Sequence, residues 1–323
     1  MTARLVLLVT SPRLPAGLLT AEAWDLVRAH PVLAAAESEL ASAVRHAGGS
    51  VTIVSGTDAL LAAAGPDGTA VWLAGPTGDE AFARELGLRL TREPGRAELE
   101  LMYGSWDPPG ARLLDAVTVM DRLMSPGGDP WKRQQTHATL AQFLLEECYE
   151  AYDAIEAGDL HALREELGDV LLQVVLHARI AEELPEDERW SVDDVAGDLV
   201  AKLIRRNPHV FAGAAVADVD EIVANWEQIK RAEKSRESAI DGIALAQPAL
   251  SLATKIMQRA ERAGLDVPLP QAGDDLGAAL LATVADARSR GLDAEAALRR
   301  AALSYAESVR AAESGSRRPP ETG

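Results

Sequence analysis

The sequence predicts a mainly α-helical protein that begins with a small α/β domain. Over about the first 105 residues, short β-type runs alternate with Ala-rich helical segments, as in α/β units with some parallel strand pairing. From Pro109 onward, apolar residues recur at helical spacing almost without interruption. A third observation concerns chemistry: two acidic motifs lie on consecutive predicted helices of the second region.

These sequence patterns divide the chain into four predicted regions. They are an α/β domain at 1–106, a helical module at 107–236, a second helical module at 237–313 and a disordered tail at 314–323. In the first region we predict strands at 5–10, 51–55, 71–74 and 99–103, and helices at 21–28, 31–46 and 80–86. Beyond it we predict helices at 110–124, 137–157, 160–184, 192–205, 219–236, 247–264, 274–290 and 293–313. No residue of the α/β domain indicates chemistry.

Composition excludes several classes of function. The 323 residues carry a net charge of −18, from 50 acidic and 32 basic residues, which disfavours binding to nucleic acid or to anionic membranes. The single cysteine, Cys148, excludes an intrachain disulfide and fits a reducing compartment. We expect it to be a small packed residue of its helix. Because no apolar run is long enough for a signal peptide or a membrane span, we expect a cytoplasmic protein.

The two acidic motifs have the same internal spacing. Glu147 and Glu150 are three residues apart on one predicted helix, and Glu166 and Asp169 are three apart on the next, so each pair shares a helical face. The short connection Gly158-Asp159 predicts a tight turn, because Gly accepts the positive φ that ends a helix and Asp caps the following one.

An antiparallel hairpin would bring these four residues, the acid quartet, together. In such a hairpin Glu147 stands level with Asp169, and Glu150 with Glu166, one helical turn apart. Four crowded carboxylates repel one another unless a cation lies between them. Oxygen-only ligands favour a hard divalent ion, above all Mg²⁺, for which Mn²⁺ can substitute.

The alternative is a solvated acidic helix face, which is the commoner role of a Glu-rich motif. Two features favour a metal site. Glu147 falls within an apolar stripe formed by Leu140, Leu144, Ala151 and Ile155, and acids on a core face are costly unless a metal or a partner compensates them. The second helix continues from the quartet into a nearly all-apolar run, and helical bundles are known to hold carboxylate metal sites on facing helices.

The second helical module carries an internal echo of the motif. The segment 274–281 repeats 165–172 at a spacing of 109 residues. In the echo Asp275 takes the position of Glu166, but Ala278 takes that of Asp169, and no E-E-x-x-E motif precedes it. We therefore expect the second module to be structural, the alternative being chance similarity between two Ala/Leu-rich helices.

These residues resemble the MazG family of nucleoside triphosphate pyrophosphohydrolases. The family pattern E-E-x-x-E, a spacer and E-x-x-D is matched by Glu146, Glu147, Glu150, Glu166 and Asp169. Segments 130–137, 202–211 and 226–230 are also similar to family motifs, so the resemblance spans about residues 107–313 and includes the two-module organisation. Asp129 departs from the family, whose members often have cysteine there; we attach no catalytic consequence to it.

The resemblance implies an enzyme that hydrolyses NTPs and dNTPs to the monophosphate and pyrophosphate, for nucleotide-pool cleansing. The quartet would hold Mg²⁺, one ion or two, and Glu146, which points away from Glu147 around the helix, would act as an orienting group or a base acting through water. The resemblance also implies a homodimer or a dimer of dimers.

Nucleotide-binding residues are implied in the same way. Lys202, Arg205 and Arg206 would bind phosphates, although a basic helix end favoured by the helix dipole is an equal alternative. Trp226 would stack on a base or ribose while Lys230 reaches a phosphate, unless Trp226 is a core residue. The remaining candidates are Trp131 and Gln135 for the base pocket, with His137 assigned to capping or packing.

Two other functions remain open at this point. One is a relative specialised for one nucleotide, such as dCTP, dUTP or a phosphoribosyl-nucleotide. The other is a non-catalytic protein whose acidic hairpin binds metal or a partner. An intact quartet argues against the second, because a binding module does not need all four acids.

Overall fold

The computed structural model describes residues 2–75, 78–214, 218–233, 238–271 and 273–316. Contacts between residues divide the chain into two units, Met1–Asp198 and Leu199–Gly323. The prediction of a helical chain preceded by an α/β domain is confirmed.

The α/β domain is built on five parallel strands in the order β3-β2-β4-β1-β5. The strands are β1 (Ala3–Val9), β2 (Val32–Ala34), β3 (Val51–Ile53), β4 (Thr69–Leu73) and β5 (Ala97–Tyr103). The helices between them are α1 (Ala21–Ala29), α2 (Glu39–His46), α3 (Thr57–Ala64) and α4 (Glu80–Arg92). Helices α1 and α2 bury apolar residues against one face of the sheet, and α3 and α4 against the other.

Two elements of this domain differ from the sequence prediction. The helix predicted at 31–46 is wrong over its first part, because Val32, Leu33 and Ala34 form the short strand β2. All three side chains are buried, and β2 pairs with both β3 and β4. The helix α2 begins only after Ser38, whose side chain accepts a hydrogen bond from the Ala41 amide. The helix α3 was not predicted.

The rest of the described chain is helical. The helices are α5 (Arg112–Met124), α6 (His137–Ala157), α7 (Leu160–Ala181), α8 (Val192–Arg206), α9 (Pro208–Phe211), α10 (Val219–Ala232), α11 (Ala249–Arg262), α12 (Leu276–Ser289) and α13 (Ala294–Ser316). The eight predicted helices are present, with α6 at its predicted bounds, and the short α9 is additional. Helix α13 includes 314–316, which the sequence assigned to a disordered tail; the predicted tail 317–323 and the predicted helical residues 234–236 lie outside the described residues.

The helices that carry the acid quartet pack as a pair, α6 against α7, and α5 packs on α7. Their shared core contains Met120 and Met124 from α5, Leu140 from α6, and Val175 and Leu176 from α7. Outside this core, Arg179 of α7 donates to Asp121 of α5 over 2.9 Å. In the second unit α11, α12 and α13 contact one another pairwise.

Each helix in the described ranges is too short or too polar to span a bilayer.

Candidate metal centre

The turn between α6 and α7 has the predicted chemistry. Gly158 adopts a left-handed conformation with φ of 68°, and its amide donates to carbonyls of the last turn of α6. The Asp159 side chain accepts hydrogen bonds from the amides of His161 (3.0 Å) and Ala162 (3.1 Å), which caps α7. Two residues thus reverse the chain and set the alignment of the two helices.

The start of α6 is fixed by a reciprocal cap. The Thr136 hydroxyl accepts from the Thr139 amide (3.2 Å), and the Thr139 hydroxyl accepts from the Thr136 amide (2.9 Å). Such a cap satisfies amides that would otherwise lack partners at a helix start. Because both ends of α6 are defined by local chemistry, the acidic residues lie at fixed positions along the hairpin.

Three acids converge across the hairpin. One carboxylate oxygen from each of Glu147, Glu150 and Glu166 lies within 4.8 Å of the other two. Glu147 and Glu166 are half-buried, and Glu150 is exposed. This group is the only one of its kind among the residues that the structure describes.

The electrostatics show how crowded these acids are. Burial, followed by the charges of Asp169 and Glu150, raises the pKa of Glu147 above its usual value. Burial, followed by the charges of Glu150 and Asp169, also raises the pKa of Glu166. Asp169 is exposed and is not a member of the group of three, yet its charge acts on both half-buried acids. Glu146 is exposed and adds a smaller effect on Glu147.

This donor set fits a divalent cation. Ionised carboxylates only accept hydrogen bonds, so they cannot neutralise one another, whereas a divalent cation among them relieves the repulsion. Oxygen ligands without His or Cys favour a hard ion. The geometry therefore indicates a class of protein: a helical hairpin whose carboxylate cluster is consistent with a divalent metal.

In the segment before α6, the polar side chains form hydrogen bonds with residues close by in sequence. The Gln135 side chain donates through Nε2 to the Trp131 carbonyl (2.9 Å) and accepts through Oε1 from the Thr139 hydroxyl (2.8 Å). Trp131 is half exposed and makes an edge-on contact with Phe143. Asp129 accepts from the amides of Trp131 and Lys132, and these bonds lower its pKa. Asp129 thus has a structural role in the turn.

Arg205 and Arg206, which the sequence predicts to bind phosphate, form ion pairs with Glu233. Glu233 accepts from Arg205 (2.7 Å) and, through both oxygens, from Arg206. These bonds lower the pKa of Glu233 to about 2. The Arg206 guanidinium also lies 5.3 Å from the centroid of the Trp226 ring, so these two candidates contact each other. Lys202 is half-buried on α8; Lys230 lies on α10, and its side chain is outside the described part of the chain.

Two features of the hairpin were not predicted from sequence. Gln173 is 4% exposed, and His137 and His177 lie with their Nδ1 atoms 2.7 Å apart and their rings nearly parallel. Trp190 also stacks on the His137 ring, with 6.0 Å between the ring centroids. The prediction that His137 packs is confirmed. Spacing in the sequence could have predicted both features. Gln173 and His177 follow Asp169 at intervals of four residues, so they continue the helical face that carries Glu166 and Asp169.

Cys148 and the echo residues of α12 lie outside the acid cluster. Cys148 was expected to pack in its helix, but it is exposed, because it lies on the solvent side of α6 next to Glu147. In the echo, Asp275 caps α12 by accepting from the Gly277 amide (2.7 Å), and Ala278 is buried. Asp275 is thus a capping residue and Ala278 a packing residue, while the non-catalytic role of the second module stays a prediction.

Comparison with known proteins assigns the class to a family. Residues 135–211 match the model of the MazG nucleotide pyrophosphohydrolase domain. The chain is 49% identical over 223 residues to an uncharacterized 26.1 kDa protein in the blaB 3′ region of Streptomyces cacaoi, covering 68% of this chain and 91% of that protein. It is 39% identical over 215 residues to the nucleoside triphosphate pyrophosphohydrolase of Escherichia coli K12, covering 57% of this chain and 81% of the relative.

A third relative is the nucleoside triphosphate pyrophosphohydrolase of Mycobacterium tuberculosis. It is 44% identical over 204 residues, which cover 63% of this chain and 59% of the relative's length. The chain belongs to the MazG nucleotide pyrophosphohydrolase family. The family match over residues 135–211 includes all five acids of the two motifs, from Glu146 to Asp169.

Proposed function

We propose that this protein is a nucleoside triphosphate pyrophosphohydrolase that converts NTPs and dNTPs to monophosphate and pyrophosphate, using Mg²⁺ or, in its place, Mn²⁺. The observation that carries the proposal is the convergence of Glu147, Glu150 and Glu166 within the segment that matches the family. A broad base preference, suited to cleansing of the nucleotide pool, is part of the proposal.

The acids have distinct roles in this account. Glu147, Glu150, Glu166 and Asp169 hold the cation, because a triphosphate cannot approach a cluster of carboxylates without one. When bound, the cation neutralises phosphate charge and lowers the pKa of the attacking water. The exposed Glu146 lies at the rim of the cluster and orients water that enters it.

Substrate binding is proposed for the basic and aromatic candidates. Lys202, Arg205 and Arg206 bind the phosphates, with Lys230 as a further phosphate ligand. Since Glu233 already holds Arg205 and Arg206, a phosphate at these arginines competes with an internal carboxylate. Trp226 offers a ring for stacking. Trp131 and Gln135 line the base pocket, with the half-exposed Trp131 ring as the contacting surface.

A homodimer or a dimer of dimers is also proposed. Helix α8 has no buried residue in the chain alone, although it is amphipathic. Five of its apolar side chains are more than a third exposed, namely Val195, Leu199, Val200, Leu203 and Ile204. A contiguous exposed apolar stripe of this kind is typical of a protein interface, and a second copy of the hairpin would cover it.

Turnover by acid variants tests the proposal. We expect the purified protein to release pyrophosphate from NTPs with Mg²⁺ and to stop when the metal is chelated. Glu147→Ala, Glu166→Ala and Asp169→Ala should each lose roughly 100-fold or more in turnover, because each removes a ligand of the cation. Circular dichroism checks that each variant stays folded.

The echo residue provides the matched control. Asp275→Ala also removes an acid that precedes a Leu-Gly pair, as Glu166 does, but it should leave turnover unchanged. Near-wild-type turnover in any one of the quartet variants would remove that residue from the site. A large loss in Asp275→Ala would show that the second module is catalytic.

A further inference from the structure

Gln173 is the most deeply buried polar side chain of the hairpin. It is 4% exposed, and its Oε1 atom has no hydrogen-bond partner in the described part of the chain. An amide oxygen removed from water without a partner costs free energy, and buried polar groups therefore almost always have one. No described donor lies within hydrogen-bond distance of this atom, and the Nε2 atom of His177, four residues further along α7, is likewise buried without a partner.

The position of Gln173 relates it to the metal centre. It lies on α7 four residues after Asp169 and seven after Glu166, on the same face of the helix. That face is directed at α6, because Glu166 approaches the acids of α6 at one end and His177 contacts His137 of α6 at the other. Gln173 therefore lies between these contacts, about one helical turn, or ~6 Å along the axis, from Asp169.

The surroundings limit which donor can reach Oε1. The neighbouring acids only accept hydrogen bonds when ionised, and the adjacent core residues Leu172, Val175 and Leu176 have apolar side chains. Near-complete burial excludes a sugar or a base, whereas single waters commonly bind buried polar groups. The remaining donor is a water, which on the Asp169 side of Gln173 would lie next to the acid cluster.

We infer that Gln173 is a positioning residue of the metal centre. Its Oε1 accepts a hydrogen bond from a water in the hydration shell of the cation held by Glu147, Glu150 and Glu166. This inference rests on the proposed function. Mg²⁺ keeps several waters when proteins bind it, and groups that hold such outer positions commonly change metal affinity by about 10–100-fold.

The variant Gln173→Leu separates this role from a merely structural one. Leu has a similar volume and removes the unpartnered oxygen, so the metal-free protein should unfold at the same or a higher temperature than wild type in chelator. Its affinity for Mg²⁺, measured by calorimetry without nucleotide, should fall about 10-fold. The value of kcat should fall with it, while KM at saturating metal stays within about 2-fold. Gln173→Met provides the same readout if the Leu variant does not fold.

Gln271→Leu is the matched control, because Gln271 is exposed in the segment after α11; it should change none of these quantities. Wild-type Mg²⁺ affinity in Gln173→Leu would overturn the inference while leaving the proposed function intact. The inference would also be overturned if Gln173→Leu lost as much free energy of unfolding in chelator as it lost free energy of Mg²⁺ binding. Gln173 would then be only a packing residue. A wild-type protein that binds no Mg²⁺ would overturn both.

Discussion

Glu147 and Glu166 show at the level of single residues how the hairpin disfavours the charged form of its own acids. Both carboxylates are half-buried, and burial and neighbouring negative charge raise both pKa values. An acid whose charged form is disfavoured by the fold lowers the stability of the fold at neutral pH. The sequence keeps these residues at that cost, as is common at functional sites.

His177 allows a prediction about pH. Burial, and then the charge of His137, lowers its pKa below the usual value, so the folded protein favours the neutral ring. The unfolded chain has a histidine pKa near 6.5, and the fold therefore loses stability as pH falls through about 6.5 toward the lower folded value. Above about pH 7.5 the effect is absent.

We expect the free energy of unfolding of wild type to fall more steeply than that of His177→Gln between about pH 6.5 and 5. Urea unfolding across this range, at fixed salt and in chelator, measures the two curves. If the curves are parallel, protonation of His177 is not linked to folding.

Among the elements, local chemistry decided which predictions succeeded. Helix α6 has its predicted bounds because a threonine cap starts it and Gly158 ends it, and both signals are visible in sequence. Strand β2 was missed because Val32–Ala34 precede two further alanines and the helix cap at Ser38, so the segment reads as part of a helix. Only its pairing between β3 and β4, which is a long-range contact, makes it a strand.

At the candidate site, too, local features were predictable from the sequence and long-range contacts were not. The facing acids were predictable, because two helices and a two-residue turn fix their register. The pairing of Arg205 and Arg206 with Glu233 was not predictable, because these residues are 27 and 28 positions apart and a chain reversal lies between them. The unpartnered oxygen of Gln173 is visible only when burial is known.

The contact between α8 and α10 gives a prediction for these elements. The pKa of Glu233 is lowered to about 2 by hydrogen bonds from Arg206 and then Arg205. The unfolded value is near 4.3, so this carboxylate stabilises the fold above that pH, and the contribution is lost as pH falls toward about 2. Glu233→Gln should therefore be less stable than wild type at pH 7, and the difference should shrink between about pH 5 and 3.

Urea unfolding at each pH measures that difference. Glu186→Gln is the control, because its side chain is 90% exposed and surface ion pairs contribute little to stability. A difference that stays constant from pH 7 to pH 3 would show that the pairing with the arginines does not stabilise the fold.

At the scale of the whole molecule, the metal-ligating side chains that come together in the described part of the chain lie in one hairpin. The parallel sheet and its helices place no group of metal-ligating side chains in the described part of the α/β domain, and α11 to α13 retain only a capping acid from the motif. The family match likewise covers 135–211, which contains the hairpin. A single catalytic centre in each chain stays a prediction, which the Asp275→Ala control tests.

The position of the broken bond tests the central claim most directly. Phosphorus NMR of ATP incubated with the purified protein and Mg²⁺ distinguishes the products without a coupled assay. The account predicts AMP and pyrophosphate in equal amounts, with no reaction when the metal is chelated. ADP and orthophosphate, formed at a rate that Glu166→Ala does not change, would contradict it.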